Sequence, residues 1–125
     1  MTKLPQDVVD GWNSRLGATV FSTVDLNKRA NSIYVMSIDL HESGCFVIAD
    51  NYFNKTKQNI LNKSRGSLLF MTKENISYQV KGRIEYHKDG NYYDFIRQNT
   101  DEKYPVHGCA VLFVEEAYSG EKALI

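Results

Sequence analysis

The sequence predicts a mostly β (α+β) fold, a small barrel of six short strands with about three flanking helices. Three observations predict it. Six runs rich in β-branched and aromatic residues recur along 125 residues, turn chemistry separates them, and only three stretches carry helical periodicity. A chain of this length fits one domain, and strands so closely spaced bury their faces by closing on one another. No internal repeat or low-complexity segment interrupts the pattern.

Pro5 to Leu16 reads as a helix opened by proline in its first turn, with Val8, Val9, Trp12 and Leu16 on one side and Gly17 ending it. Residues 18–24 alternate and are β-branched, a first strand, and Asp25-Leu26-Asn27-Lys28 turns the chain. A second strand runs from about Asn31 to Leu40 on Ile33, Val35 and Ile38. After the turn at His41-Glu42-Ser43-Gly44, Phe46 to Ala49 form an apolar run suited to a strand buried on both faces. Asp50 and Asn51 break that run, and Asn54 reads as the N-cap of a helix that begins at Lys55, with Ile60 and Leu61 giving it an apolar side. Ser64-Arg65-Gly66 is a loop, residues 67–72 a further buried strand, and Lys73-Glu74-Asn75 a hairpin turn. Gly82 interrupts the long alternating strand from Ile76 to Tyr86, marking a bulge or a close backbone approach. A helix follows from Tyr92 to Gln98 with Tyr92, Phe95 and Ile96 on its apolar side. The last strand spans Gly108 to Val114, and residues 115–125 form a tail with no predicted element.

Fifteen Lys and Arg balance fifteen Asp and Glu, so no overall field recruits nucleic acid or an anionic membrane, and neither is expected as a partner. No apolar run nears the roughly 20 residues that span a bilayer. Met1-Thr2-Lys3-Leu4-Pro5 leads into no signal-peptide core, which predicts a cytoplasmic protein. Cys45 and Cys109 lie in apolar strand-like runs and read as reduced, buried side chains instead of a disulfide or metal ligands. His41, His87 and His107 fall in turns or loops without an obvious catalytic or ligand partner. The motifs of acyl transfer, nucleotide hydrolysis, zinc hydrolysis and Rossmann cofactor binding do not occur, so no catalytic side chain is assigned. Such a chain is still an enzyme if a cofactor supplies the chemistry.

The start of the central helix carries Lys55 and Lys57 where the dipole favours Asp or Glu. Free N–H groups, the Thr56 hydroxyl and the Lys55 ammonium together suit a phosphate. The same lysines also suit a solvated amphipathic helix that points them into water.

The succession Asn31-Ser32-Ile33-Tyr34, Val47-Ile48-Ala49-Asp50, Lys55-Thr56 followed by Asn59, and Val80-Lys81-Gly82 on a long strand resembles the pyridoxamine 5′-phosphate oxidase-like FMN-binding split barrels. It looks most like their short, single-domain flavoproteins, over roughly Val20 to Tyr118. The most specific piece is the strand, the Asp50-Asn51 bend and the Lys55-Thr56 helix start at their mutual spacing. The resemblance implies a six-stranded antiparallel split β-barrel over residues 1–125, with FMN at a homodimer interface and its phosphate on Lys55 and Thr56. It also implies that Asn31, Ser32 and Ile33 line the ring or ribityl chain. Ala49, Asp50 and Asn51 would turn backbone groups toward the ring's polar edge, tuning its potential without a catalytic side chain. Asn59 either orients the bend or reaches the ribityl chain, and Gln79 points toward the pocket or outward. Tyr118, Leu124 and Ile125 are placed to cover the partner subunit's flavin. The vitamin B6 oxidases of the family carry a longer C-terminal segment with a substrate-phosphate arginine, whereas this sequence stops at Ile125, so oxidation of pyridoxamine phosphate is not expected.

The leading expectation is therefore an FMN-dependent oxidoreductase or electron carrier with an unidentified small-molecule or protein redox partner. The alternative is a non-enzymatic barrel that senses or stores a flavin or another phosphorylated ligand. An oligonucleotide-binding barrel ranks behind both, for want of a basic and aromatic stripe.

Overall fold

The computed structural model describes residues 3–125; Met1 and Thr2, where the N-terminal stretch read above begins, lie outside them. The elements run in the order α1 (Gln6–Asn13), β1 (Arg15–Val24), β2 (Ala30–Val35), β3 (Ile38–Leu40), β4 (Phe46–Asp50), α2 (Lys55–Leu61), β5 (Gly66–Thr72), β6 (Ser77–His87), α3 (Asn91–Gln98), β7 (Gly108–Ser119) and β8 (Lys122–Ala123). All ladders are antiparallel, in the strand order β2-β1-β5-β6-β7-β4-β3 with β8 on β7. β2 and β3 are neighbours in the chain, yet they form the two ends of this order, joined only by Met36-Ser37. A link that short spans about 10 Å. The sheet therefore curls until its two edges approach each other with no ladder between them, an antiparallel half-barrel consistent with a split barrel.

All five residues of β4 are buried, as expected of a strand covered on both faces. Phe46 and Ile48 enter the main core, where Trp12 meets Phe46 and Phe70 edge-on at 5.0 and 5.1 Å. Val47 and Ala49 face a second cluster with Ile96 of α3, Val106, Cys109 and Val111. Both cysteines are free. Burial pushes the Cys109 thiol from 9.0 up to about 11. The stability contributed by the protonated thiol is complete below 9.0 and is lost as the pH rises through about 11. Denaturant melts should show that decline, and Cys109→Ala should flatten it.

The structure shifts several expectations. The first helix stops at Asn13, and Leu16, expected on its buried side, is 48% exposed. Arg15 and Leu16 already pair with Thr72 and Met71, so ladder bonds capture the chain before the last apolar position of the helical pattern. Gly17, at φ +67°, sits in the register shift between Leu16 and Val20, a bulge within β1 where a helix end was expected. The expected strand 31–40 breaks after Val35, because Met36 and Ser37 must carry the chain from one sheet edge to the other. β5 alternates where full burial was expected, turning Leu69 and Met71 outward. The tail prolongs β7 to Ser119 and returns as β8, so β3 and β8 raise the strands from six to eight. At Gly82 both expectations hold: the register shifts between Lys81 and Gly82, and a Cβ there would run into the Phe113 carbonyl.

Candidate functional site

β4 delivers the chain to a bend at Asp50 to Asn54 that lies against the seam between β2 and β3. The bend is held from several sides. Asp50 accepts the Phe53 N–H on Oδ1 at 2.9 Å and the Tyr86 hydroxyl on Oδ2 at 2.6 Å, and its carbonyl accepts the His107 N–H at 2.9 Å. Asn51 accepts the Val106 N–H and donates to Ser37 Oγ, both at 3.2 Å. An aspartate after a strand thus takes up the N–H that the bend would leave bare. Burial, and then the Asp50 carboxylate, push the Tyr86 hydroxyl above its usual range, so it remains a donor.

The bend feeds α2, whose first turn holds no acidic residue. Asn54 stands at the N-cap position as expected, but its side chain makes no capping bond. Among the described residues, no acceptor meets the N–H groups of Lys55, Thr56 and Lys57, and no carboxylate pairs with Lys55. Seven residues make a weak dipole, so the charge and the N–H groups matter here more than the axis. Thr56 is buried, and its Oγ1 accepts from Asn31 Nδ2 at 3.1 Å, which leaves the hydroxyl proton to donate onward. Asn59 donates to Thr23 Oγ1 at 3.0 Å with both side chains buried. It therefore clamps α2 to β1. Asn59→Ala should cost about 1.5 kcal/mol, read as a lower urea midpoint.

β2 pairs only with β1, so its outer edge turns alternate N–H and C=O groups away from the ladder. Two grooves follow this edge. The first, of about 310 Å³, is lined by Asp25, Arg29, Asn31, Lys55, Gln58 and Asn59. Arg29 is already committed to Asp25 through its N–H and its Nε at 3.1 Å, and the backbone N–H of Arg29 above all holds the Asp25 carboxyl below its usual range. Lys55 is thus the unneutralised cation of this groove. The second, of about 390 Å³, is bounded by Ile33, Val35 and Met36 on one side and by Asn51, Tyr52, Phe53 and Tyr104 on the other. No histidine lines either groove, and the second holds no carboxylate or ammonium.

Asn31, Ile33, Asn51, Lys55, Thr56 and Asn59 thus come together along one strand edge. Ala49 and Asp50 do not line the grooves: both are buried, the Ala49 N–H is given to Ser37 at 2.8 Å, and the Asp50 acceptors are taken up as described. Ser32 and Gln79 lie on the outward face of the sheet, where Ser32 meets Ser22 at 2.8 Å and Gln79 shares a shallow polar groove with Ser67, Lys81 and Glu116. In the tail, the Tyr118 hydroxyl donates to Glu116 at 2.6 Å, Leu124 packs against its own core and Ile125 stays exposed. His87, expected without a partner, meets Glu85 at 2.9 Å. Among the described residues no group of three His, Cys, Asp or Glu side chains is placed to hold a metal, and no helix is long and apolar enough to cross a membrane. Sequence reasoning missed Tyr86. Its parity with Val80 and Ile84 already pointed it inward, and an inward tyrosine needs a hydroxyl partner.

The family model described as pyridoxamine 5′-phosphate oxidase matches residues 6–124. The chain belongs to this family. The solved structures that it resembles include HupZ of Group A Streptococcus, at 20% identity over 96% of each chain with a TM-score of 0.81. An FMN-binding protein from Syntrophomonas wolfei is 19% identical over 94% of this chain and 88% of its own, with a TM-score of 0.78. A heme binding protein from Mycobacterium smegmatis is 12% identical over 95% of this chain and 55% of its own, with a TM-score of 0.72. These identities speak for the shared fold alone. No curated protein sequence matches the chain significantly.

Proposed function

We propose that this chain is a homodimeric FMN-binding flavoprotein, an oxidoreductase or electron carrier of the pyridoxamine 5′-phosphate oxidase family. One observation carries the reading: the free edge of β2 runs from a groove with an unneutralised lysine and bare N–H groups to a larger, uncharged groove walled by aromatic side chains. That polarity fits a ligand with a phosphate at one end and a flat ring at the other. Lys55, Thr56 and the first-turn N–H groups would hold the phosphate, and Asn31 sets the Thr56 hydroxyl. Ile33, Asn51 and the backbone of β2 would face the ring. Bound FMN supplies the redox chemistry, and the residues of this chain bind it, orient it and limit water at its edge. FMN titrated into the purified protein should lose fluorescence, and the protein should stay yellow after gel filtration; protein that quenches nothing and emerges colourless would end the reading. A bound flavin that cycles with donors and acceptors marks an oxidoreductase or carrier, and one that does not marks a sensor.

The outward sheet face supports the dimer. Tyr34, Val20 and Leu69 are cross-strand neighbours continued by Gln79 and Tyr118, with the exposed Met71 and Leu16 beside them. A second copy of the chain would cover this apolar row. A stable interface takes about 800 Å² from each partner. Leu69→Arg should leave a monomeric mass in light scattering; a dimer of unchanged stability would place the contact elsewhere.

A further inference from the structure

We propose that Tyr86 is a positioning residue for the flavin ring, acting through Asp50 on the bend that walls the ring's groove; this rests on the FMN reading above. Tyr86 does not line the groove. It stands on β6, which is paired on both sides by β5 and β7, and its hydroxyl donates to Asp50 Oδ2 at 2.6 Å. The other carboxylate oxygen holds the Phe53 N–H at 2.9 Å, so one buried side chain ties a fixed strand to the segment that presents Asn51, Tyr52 and Phe53. A bond of that length to a carboxylate is charge-assisted, among the stronger single contacts a neutral hydroxyl makes. The same ring carries Lys57, whose Nζ lies 5.1 Å from its centre, so α2 is indexed to Tyr86 as well. Gly108 makes room for it: a Cβ there would lie 2.5 Å from the Tyr86 oxygen. Without the hydroxyl, Asp50 keeps a buried oxygen with no donor, and the bend loses its register against β2.

The test uses the full chain as wild type, Tyr86→Phe, Asp50→Ala and the double variant, with FMN and riboflavin as probes. Affinity by fluorescence, the visible spectrum and midpoint potential of the bound flavin, and the melting temperature of the free protein are measured together. Tyr86→Phe should weaken FMN and riboflavin alike by about fivefold, as one hydrogen bond predicts, and shift both spectrum and potential. Asp50→Ala should do more, and adding Tyr86→Phe to it should change nothing further. A Tyr86→Phe protein that melts lower but binds flavin with unaltered affinity, spectrum and potential overturns the proposal, as do additive effects in the double variant. If Asp50→Ala does not fold, the spectrum and potential of Tyr86→Phe decide alone. Wild type that binds neither probe overturns the FMN reading itself, a failure distinct from wild type and Tyr86→Phe binding alike.

Discussion

Replacing Lys55 and Thr56 together by alanine is expected to weaken the proposed FMN binding by about a hundredfold, a change of roughly 2.7 kcal/mol, and to leave riboflavin affinity within a fewfold of wild type. The asymmetry follows from where the two residues sit. Lys55 is the unpaired cation of the smaller groove, and Thr56 offers a hydroxyl proton once Asn31 has occupied its lone pair. A charge-assisted contact to phosphate is worth about 1.5–3 kcal/mol when partly shielded and less when exposed. Lys55 is exposed and counts at the low end, with the hydroxyl supplying the rest. Neither reaches the larger groove, so a flavin without a phosphate has little to lose. Thr56→Ala also leaves Asn31 Nδ2 without its acceptor, so the single Lys55→Ala variant separates loss of charge from loss of packing. Paired fluorescence titrations with FMN and riboflavin give the answer directly. An equal loss for both probes would move the phosphate away from α2.

Gly82→Ala is expected to destabilise the fold by about 3 kcal/mol, lowering the melting temperature by roughly 10 °C. A Cβ at this position would collide with the Phe113 carbonyl oxygen and lie 2.8 Å from its carbon and 3.3 Å from the Glu115 nitrogen. These are backbone atoms of β7, and no rotamer change can move them aside. Relief requires shifting the longest ladder of the sheet at its bulge, where the pairing passes from Lys81 with Glu116 to Gly82 with Val114. Calorimetry of the variant measures the effect. A loss below 1 kcal/mol would mean that β6 and β7 slide past each other with little resistance.

What could be read from the amino acids depended on how local the cause was. Phe46 to Ala49 announced a doubly covered strand because burial on two faces leaves an unbroken apolar run, and Lys55 announced a helix start through the turn residues before it. Gly82 was legible for the same reason, since glycine inside an alternating strand has few uses. Leu16 misled because it satisfies the helical period as well as the ladder, and pairing with Met71 decides between them across 55 positions (71 − 16). Leu69 and Met71 read as buried because an outward apolar face looks the same in sequence whether water or another subunit covers it. The brace was hidden by distance along the chain: Asp50 and Tyr86 are 36 residues apart, Asn51 and Ser37 are 14 apart, and no spacing rule links them.

The short tether at Met36-Ser37 has a wider consequence. Because no ladder crosses that gap, the breadth of the opening follows from the length of the tether and from what anchors it, the Ala49 N–H on the Ser37 carbonyl and the Asn51 amide on Ser37 Oγ. A residue gained or lost in the tether would widen or narrow the mouth without unpairing a single strand. Local insertions in such a tether would change the span of the mouth while the remaining strands fold as before.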